Sequence, residues 1–145
     1  MKKIQDFFKD SDLSLPEGQM IVLYFYPKDN TSGCTMEAVE FNELLPEFEK
    51  FGTKVIGISR DSEKKHANFK EKYNLNLELL SDPKEKIHHA FDIMKMKKLY
   101  GKEYLGVDRS TFVFDEKGIL IKEYRNVKPS GHATQVLKDL KERAL

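Results

Sequence analysis

The chain has 145 residues, 39% hydrophobic and 11% aromatic, with ten Phe and six Tyr to fill a core. Lys plus Arg (25) nearly balances Asp plus Glu (24), so no net field favours nucleic acid or an anionic membrane. One cysteine cannot form an internal disulfide, and no apolar run approaches the roughly 20 residues that span a bilayer.

The opening MKKIQDFFKDSDLSLPEGQ has no unbroken apolar segment and no small-residue cleavage site. It does not read as a secretory signal, and a cytoplasmic address is the expectation. Ile21–Tyr26, IVLYFY, is a continuous apolar run with β-branched and aromatic residues, suited to a strand buried on both faces. Pro27, Asp29, Asn30, Ser32 and Gly33 then signal a loop. From about Thr35 the pattern is helical, with Ala38, Phe41, Leu44, Leu45 and Phe48 spaced by threes and fours. Pro46 is expected to kink or interrupt that helix.

Lys54–Ser59, KVIGIS, reads as a second buried strand. Asp61 or Ser62 caps a helix running to about Tyr73, with Ala67, Phe69 and Tyr73 as candidate core contacts. Leu77–Leu80 is a short third strand, SDP a stop and restart, and Lys84–Phe91 a short helix. Asp92–Asp108 reads as irregular, broken by Gly101 and Gly106. STFVFD and ILIKEY flank EKG as a hairpin with Gly118 in the turn. His132–Arg143 is a last helix with Val136, Leu137 and Leu140 facing inward. The order β-α-β-α-β-α-β-β-α predicts an α/β fold, a central mixed sheet with helices on both faces. No repeat or linker divides the chain, so one domain over residues 1–145 is expected.

Cys34 falls where the loop after the first strand meets the helix. First-turn amides of a helix lack internal partners and favour a thiolate, which is the nucleophilic form. By location alone, an inert buried thiol is the commoner outcome. Thr31 and Pro27 shift the balance. Thr31 precedes Cys34 by three residues, so its hydroxyl can turn into the same pocket, and Pro27 fixes φ at the start of the loop. PKDNTSGC thus carries the spacing P-x-x-x-T-x-x-C between a strand and a helix.

That pattern resembles the thiol motif of the peroxiredoxins. YFYPKDNTSGCTMEA, VIGISRD, LLSD, YGKEYLGVDRSTFVFDEKG and GHATQVL are similar to the subfamily called bacterioferritin comigratory protein or peroxiredoxin Q, over nearly the whole chain. The resemblance implies a thioredoxin-like fold and a thiol-dependent peroxidase. It implies that Cys34 attacks hydrogen peroxide or an organic hydroperoxide and becomes a sulfenic acid. Thr31, Arg109 (in GVDRST) and the backbone around Gly33 and Cys34 would bind the substrate. Glu37 suits the helix dipole and by resemblance also holds Arg109. No metal or organic cofactor is implied.

Two positions depart from the subfamily. Many members carry a second cysteine five residues after the first, where this chain has Val39. The sulfenic acid would therefore need an external thiol: a thioredoxin, a glutaredoxin, glutathione or another small thiol. Ser32 replaces the usual proline and leaves the turn looser. The subfamily implies a monomer or a weak homodimer.

His88 and His89 are adjacent, so on a helix they diverge, and surface or helix-end roles are expected. His132 starts the last helix and carries no catalytic assignment. Met94–Tyr104, basic with interleaved aromatics, reads as a solvated loop whose Met94, Leu99 and Tyr104 cover the core. It is alternatively a docking surface, with Tyr104 lining the way to the thiol. The competing functions are a thioredoxin-like redox-sensing or interaction module without turnover and a glutaredoxin-like reductase. The absence of a Cys-x-x-Cys pair argues against the latter.

Overall fold

The computed structural model describes residues 2–142. In chain order the elements are α1 (Ile4–Phe8), β1 (Met20–Phe25), α2 (Ser32–Lys50), β2 (Thr53–Ser59), α3 (Glu63–Tyr73) and β3 (Glu78–Ser81). They continue as α4 (Lys86–Ala90), β4 (Met94–Leu99), β5 (Lys102–Val107), β6 (Ser110–Phe114), β7 (Leu120–Tyr124) and α5 (His132–Lys141).

Five strands hydrogen-bond in the order β3-β2-β1-β6-β7. The first three run parallel, joined by helical crossovers, and β6 and β7 are antiparallel additions. β1 is central, which is why its sequence is apolar throughout: alternate side chains enter two cores. Val22 and Tyr24, with Tyr26 beyond the strand end, join side chains of α2, α3 and α5 on one face. Ile21, Leu23 and Phe25 join those of α1 and α4 on the other. The expected mixed sheet with helices on both faces is therefore what forms.

Several boundaries differ from the expectation for physical reasons. α2 starts at Ser32, so Cys34 lies within the first turn and not at its edge. Pro46 does not interrupt α2; it stands on the exposed side, where water can take the carbonyl that its missing N–H leaves free. Ser62, not Asp61, caps α3, accepting from Lys65 N at 3.2 Å. Ala67 is exposed; the inward positions of that helix are His66 and Phe69, with Tyr73 half-buried against them. The SDP signal acts through Asp82, whose carboxylate accepts from Ile87 N and His88 N at 2.9 Å each. Arg143, assigned to the last helix from sequence, lies outside the described residues.

The largest correction concerns Asp92–Asp108. It is an antiparallel hairpin, β4 paired with β5 from Met94↔Val107 to Leu99↔Lys102. Tyr100 and Gly101 form its two-residue turn, both at positive φ (51° and 78°), as such hairpin turns require. Only Met94, Gly106 and Val107, at the base, are buried. Leu99 and Tyr104 are 57% and 45% exposed, so of the three residues expected to cover the core only Met94 does. No helix among the described residues is long and apolar enough to cross a membrane.

Candidate active site

Thr31 occupies the N-cap of α2 in extended backbone, and Thr35 N makes the first helical bond, to Thr31 O, at 2.8 Å. The amides of Ser32, Gly33 and Cys34 precede that bond, so the first turn presents donors with no helical acceptor. Cys34 is 1% exposed, its side chain joining Tyr24, Ala38 and Phe41 in the core beneath the sheet. Pro27 is half-buried immediately after the strand segment.

Arg109, one residue beyond the Val107–Asp108 corner, reaches this turn across 75 positions of sequence. Its Nη2 donates to Cys34 Sγ at 3.3 Å, and its Nη1 donates to Glu37 Oε1 at 2.7 Å. Cys34 and Glu37 are three residues apart, hence on one helix face, and a single guanidinium spans both. Val127 N to Arg109 O, 2.9 Å, fixes the arginine backbone. Gly33 makes the close fit possible. A Cβ there would stand 3.1 Å from Pro129 Cγ and 3.5 Å from Arg109 Nη2.

Glu37 is fully buried, and its Oε2 has no partner among the described residues. Burial pushes its carboxyl up to about 7; Arg109 pulls the other way without overcoming it. Burial also works against the Arg109 charge, but Glu37 and Cys34 outweigh it and hold the guanidinium above its ordinary range. Glu37 is therefore no mere complement to the helix dipole. Thr31 stands exposed, and its hydroxyl donates to Lys28 O at 2.9 Å.

The structure thus gathers Cys34, Gly33, Glu37 and Arg109 and sets Thr31 at the adjoining helix cap. Tyr104 stands on the β4–β5 hairpin, its ring lying with the Lys97 side chain over Gly106.

Several neighbours escaped the sequence reading. Tyr24 is buried with its hydroxyl unpartnered among the described residues, and burial, then the charges of Glu37 and Cys34, raise its phenol well above the ordinary range. Asp29, in the loop before Thr31, is 7% exposed. Its Oδ1 accepts from Tyr26 OH at 2.5 Å, its Oδ2 lies 2.6 Å from His66 Nδ1, and its N–H donates to Asp61 Oδ2 at 2.8 Å. His132 Nε2 lies 2.7 Å from Thr111 Oγ1, and burial, with Arg109 nearby, lowers it to about 4. His88, expected near the surface, is fully buried, with Nδ1 2.6 Å from Asp82 Oδ2; only His89 is exposed. An inward tyrosine or histidine looks like any other in a sequence; only the fold shows which way it points.

The sequence profile of the AhpC/TSA family matches residues 2–123. The peroxiredoxin Bcp of Bacillus subtilis is 51% identical over 130 residues, covering 90% of this chain and 83% of that one. The peroxiredoxin Bcp of Xanthomonas campestris is 50% identical over 127 residues, with 88% and 79% covered. A structure of the Xanthomonas campestris bacterioferritin comigratory protein, solved to study its alkyl peroxide reduction activity, superposes with a TM-score of 0.83. It shares 48% identity, covering 89% of this chain and 82% of that one. The family match to residues 2–123 takes in both the strand-loop-helix that holds the thiol and the arginine. It follows that this chain belongs to the AhpC/TSA family, as a Bcp-type peroxiredoxin of thioredoxin-like fold: a thiol peroxidase.

Proposed function

We propose that Cys34 is the peroxidatic residue of a one-cysteine enzyme that reduces hydrogen peroxide and organic hydroperoxides and is restored by a thiol from another molecule. The observation that carries this is the single guanidinium shared by Cys34 Sγ (3.3 Å) and Glu37 (2.7 Å). A fixed cation beside sulfur favours negative charge there, and its remaining donors can follow charge onto the peroxide oxygens. The Cys34 thiolate attacks one oxygen, the O–O bond breaks, and the departing oxygen takes a proton as water or alcohol. Cys34 is left as a sulfenic acid.

Glu37 holds the arginine in place. Thr31 and the amides of Gly33 and Cys34 bind the hydroperoxide, and Pro27 fixes the start of the loop. The activity attributed to the Xanthomonas campestris relative supports alkyl hydroperoxides as substrates here. Because the chain has no second cysteine, an external thiol (thioredoxin, glutaredoxin, glutathione or another small thiol) attacks the sulfenic sulfur and releases water. A second thiol then frees Cys34 as the external disulfide leaves. We assign the chain one domain, a monomeric or weakly dimeric state and a cytoplasmic site of action.

One equivalent of peroxide should add a single oxygen to Cys34 in intact-mass measurement, trappable by a sulfenic-acid reagent and absent in Cys34→Ser. An unchanged mass would overturn the assignment. One oxidation without recovery by any of a panel of thiol donors would leave a redox-sensing module instead.

A further inference from the structure

The loop between β1 and α2 is seated by buried polar groups that the reaction itself does not use. The Lys28–Asp29 peptide is gripped at both ends. Its N–H donates to Asp61 Oδ2 at 2.8 Å, and its C=O, on Lys28, accepts from the Thr31 hydroxyl at 2.9 Å. In a trans peptide these two groups point in opposite directions, so fixing one aims the other. Asp61 is itself fixed, with Oδ2 accepting from Ser59 Oγ at 2.7 Å and its own N–H donating back to Ser59 Oγ at 3.1 Å.

The Asp29 side chain locks the same peptide from the other side. Its two oxygens face Tyr26 OH and His66 Nδ1, and His66 Nε2 faces Leu80 O at 2.9 Å. The loop is thereby tied at once to Tyr26 just past β1, to α3 and to β3. Asp29, Asp61 and His66 are each at most 8% exposed. Buried polar groups so fully paired hold one geometry, because each alternative leaves an atom unsatisfied.

We propose that Asp29, Asp61 and His66 form a positioning clamp for Thr31. By holding Lys28 C=O toward the Thr31 hydroxyl, the clamp commits that hydroxyl's proton to the carbonyl. The exposed oxygen is left as an acceptor for the O–H of an incoming hydroperoxide. This rests on the reading of Thr31 as a substrate-binding residue. The clamp residues touch no reacting atom and act through Thr31 alone.

The test is a double-mutant cycle on the second-order rate of Cys34 oxidation by hydrogen peroxide, followed by rapid quench and intact mass, with thermal unfolding in parallel. The amide nitrogen of His66→Asn can stand near Nδ1 and keep the bond to Asp29. That of His66→Gln stands near Nε2 and keeps only the bond to Leu80 O. Asp61→Asn weakens the grip on the peptide N–H. Thr31→Val is expected to slow oxidation, and Thr31→Ser to restore it. His66→Gln and Asp61→Asn are expected to slow it about tenfold, as small displacements at a reacting centre do. His66→Asn should keep most of the rate although both His66 variants lose stability. In the Thr31→Val background neither His66→Gln nor Asp61→Asn should add a further loss.

Equal losses with and without Thr31, or a rate that follows stability in both His66 variants, would overturn the clamp while leaving Thr31 as a substrate contact. A Thr31→Val rate equal to wild type would instead remove the reading of Thr31 on which the clamp rests. Should His66→Gln fail to fold, Asp61→Asn carries the same cycle.

Discussion

Along β1, Ile21, Leu23 and Phe25 face one side of the sheet, while Val22, Tyr24 and the adjoining Tyr26 face the other. The first side is mostly hydrocarbon, with one buried polar pair at its edge, His88 against Phe25 (5.1 Å between ring centroids) and bonded to Asp82. Phe91 lies 5.0 Å from Phe25 and 4.6 Å from Phe112 between ring centroids, amid Ile56, Ile58 and Ile93. The second side buries a thiol, two phenols, two imidazoles and the carboxylates of Glu37 and Asp29, the other residues being Cys34, Tyr24, Tyr26, His66 and His132. Polar atoms in a core cost stability where a partner is missing among the described residues, as at Glu37 Oε2 and Tyr24 OH on the second side and at His88 Nε2 on the first. The sheet therefore divides its labour: one face carries stability and the other carries chemistry at some expense of stability.

The sharpest test of that division is Arg109→Ala. It removes the donor to Cys34 and strands Glu37 in the core. The expected result is a loss of about 10²–10³ in the peroxide rate together with about 3–5 kcal/mol of stability. Stopped-flow or quench kinetics and denaturant unfolding would report both. Phe25→Ala, on the hydrocarbon face, should cost about 3–5 kcal/mol as well yet leave the oxidation rate of the folded protein unchanged. A rate loss comparable to that of Arg109→Ala would break the comparison.

The pH dependence of stability comes next in size and separates two groups on the chemical face. His132 is held at about 4 against an ordinary 6.5, so its contribution is complete above pH 6.5 and lost as pH falls toward 4. Glu37 is held at about 7 against 4.5, so its contribution is complete below pH 4.5 and lost as pH rises through 7. The two oppose each other, each on the order of 3 kcal/mol. Glu37→Gln should uncover stability that climbs from pH 4 to 6.5, and His132→Gln stability that falls from pH 4.5 to 7. Calorimetry on both variants checks the signs, and two profiles of the same sign would refute the assignment. Smallest is Tyr24→Phe, which deletes a buried hydroxyl that has no partner among the described residues. Thermal unfolding should show no loss, or a gain of up to about 1 kcal/mol.

What the sequence discloses follows from how local the signal is. Strands and helices declare themselves through periodicity, and Pro27, Thr31 and Cys34 through spacing within eight residues. Arg109, 75 positions away, is recovered only through likeness to a family. Asp29 and His66 stay hidden because they are 37 positions apart, and because a histidine within EKKHANFKEKY looks like one more polar residue on a charged helix. The β4–β5 hairpin is missed because its turn uses Tyr-Gly where Asn-Gly is the recognisable pair, and because its strands are lysine-rich and mostly exposed. Pro46 misleads in the other direction: a helix breaker by type becomes harmless on a solvent-facing turn.

Val39 sits half-buried against the core five residues beyond Cys34, and no other position in the chain supplies a thiol. On the proposed chemistry, the oxidised enzyme cannot reset itself at a rate fixed by its own structure. Its waiting time becomes inversely proportional to the concentration of thiol around it, while further peroxide competes to drive the sulfur to irreversible states. Each turnover is then a race between two solutes, and the surviving fraction of active molecules records the ratio of thiol to peroxide that the population has met.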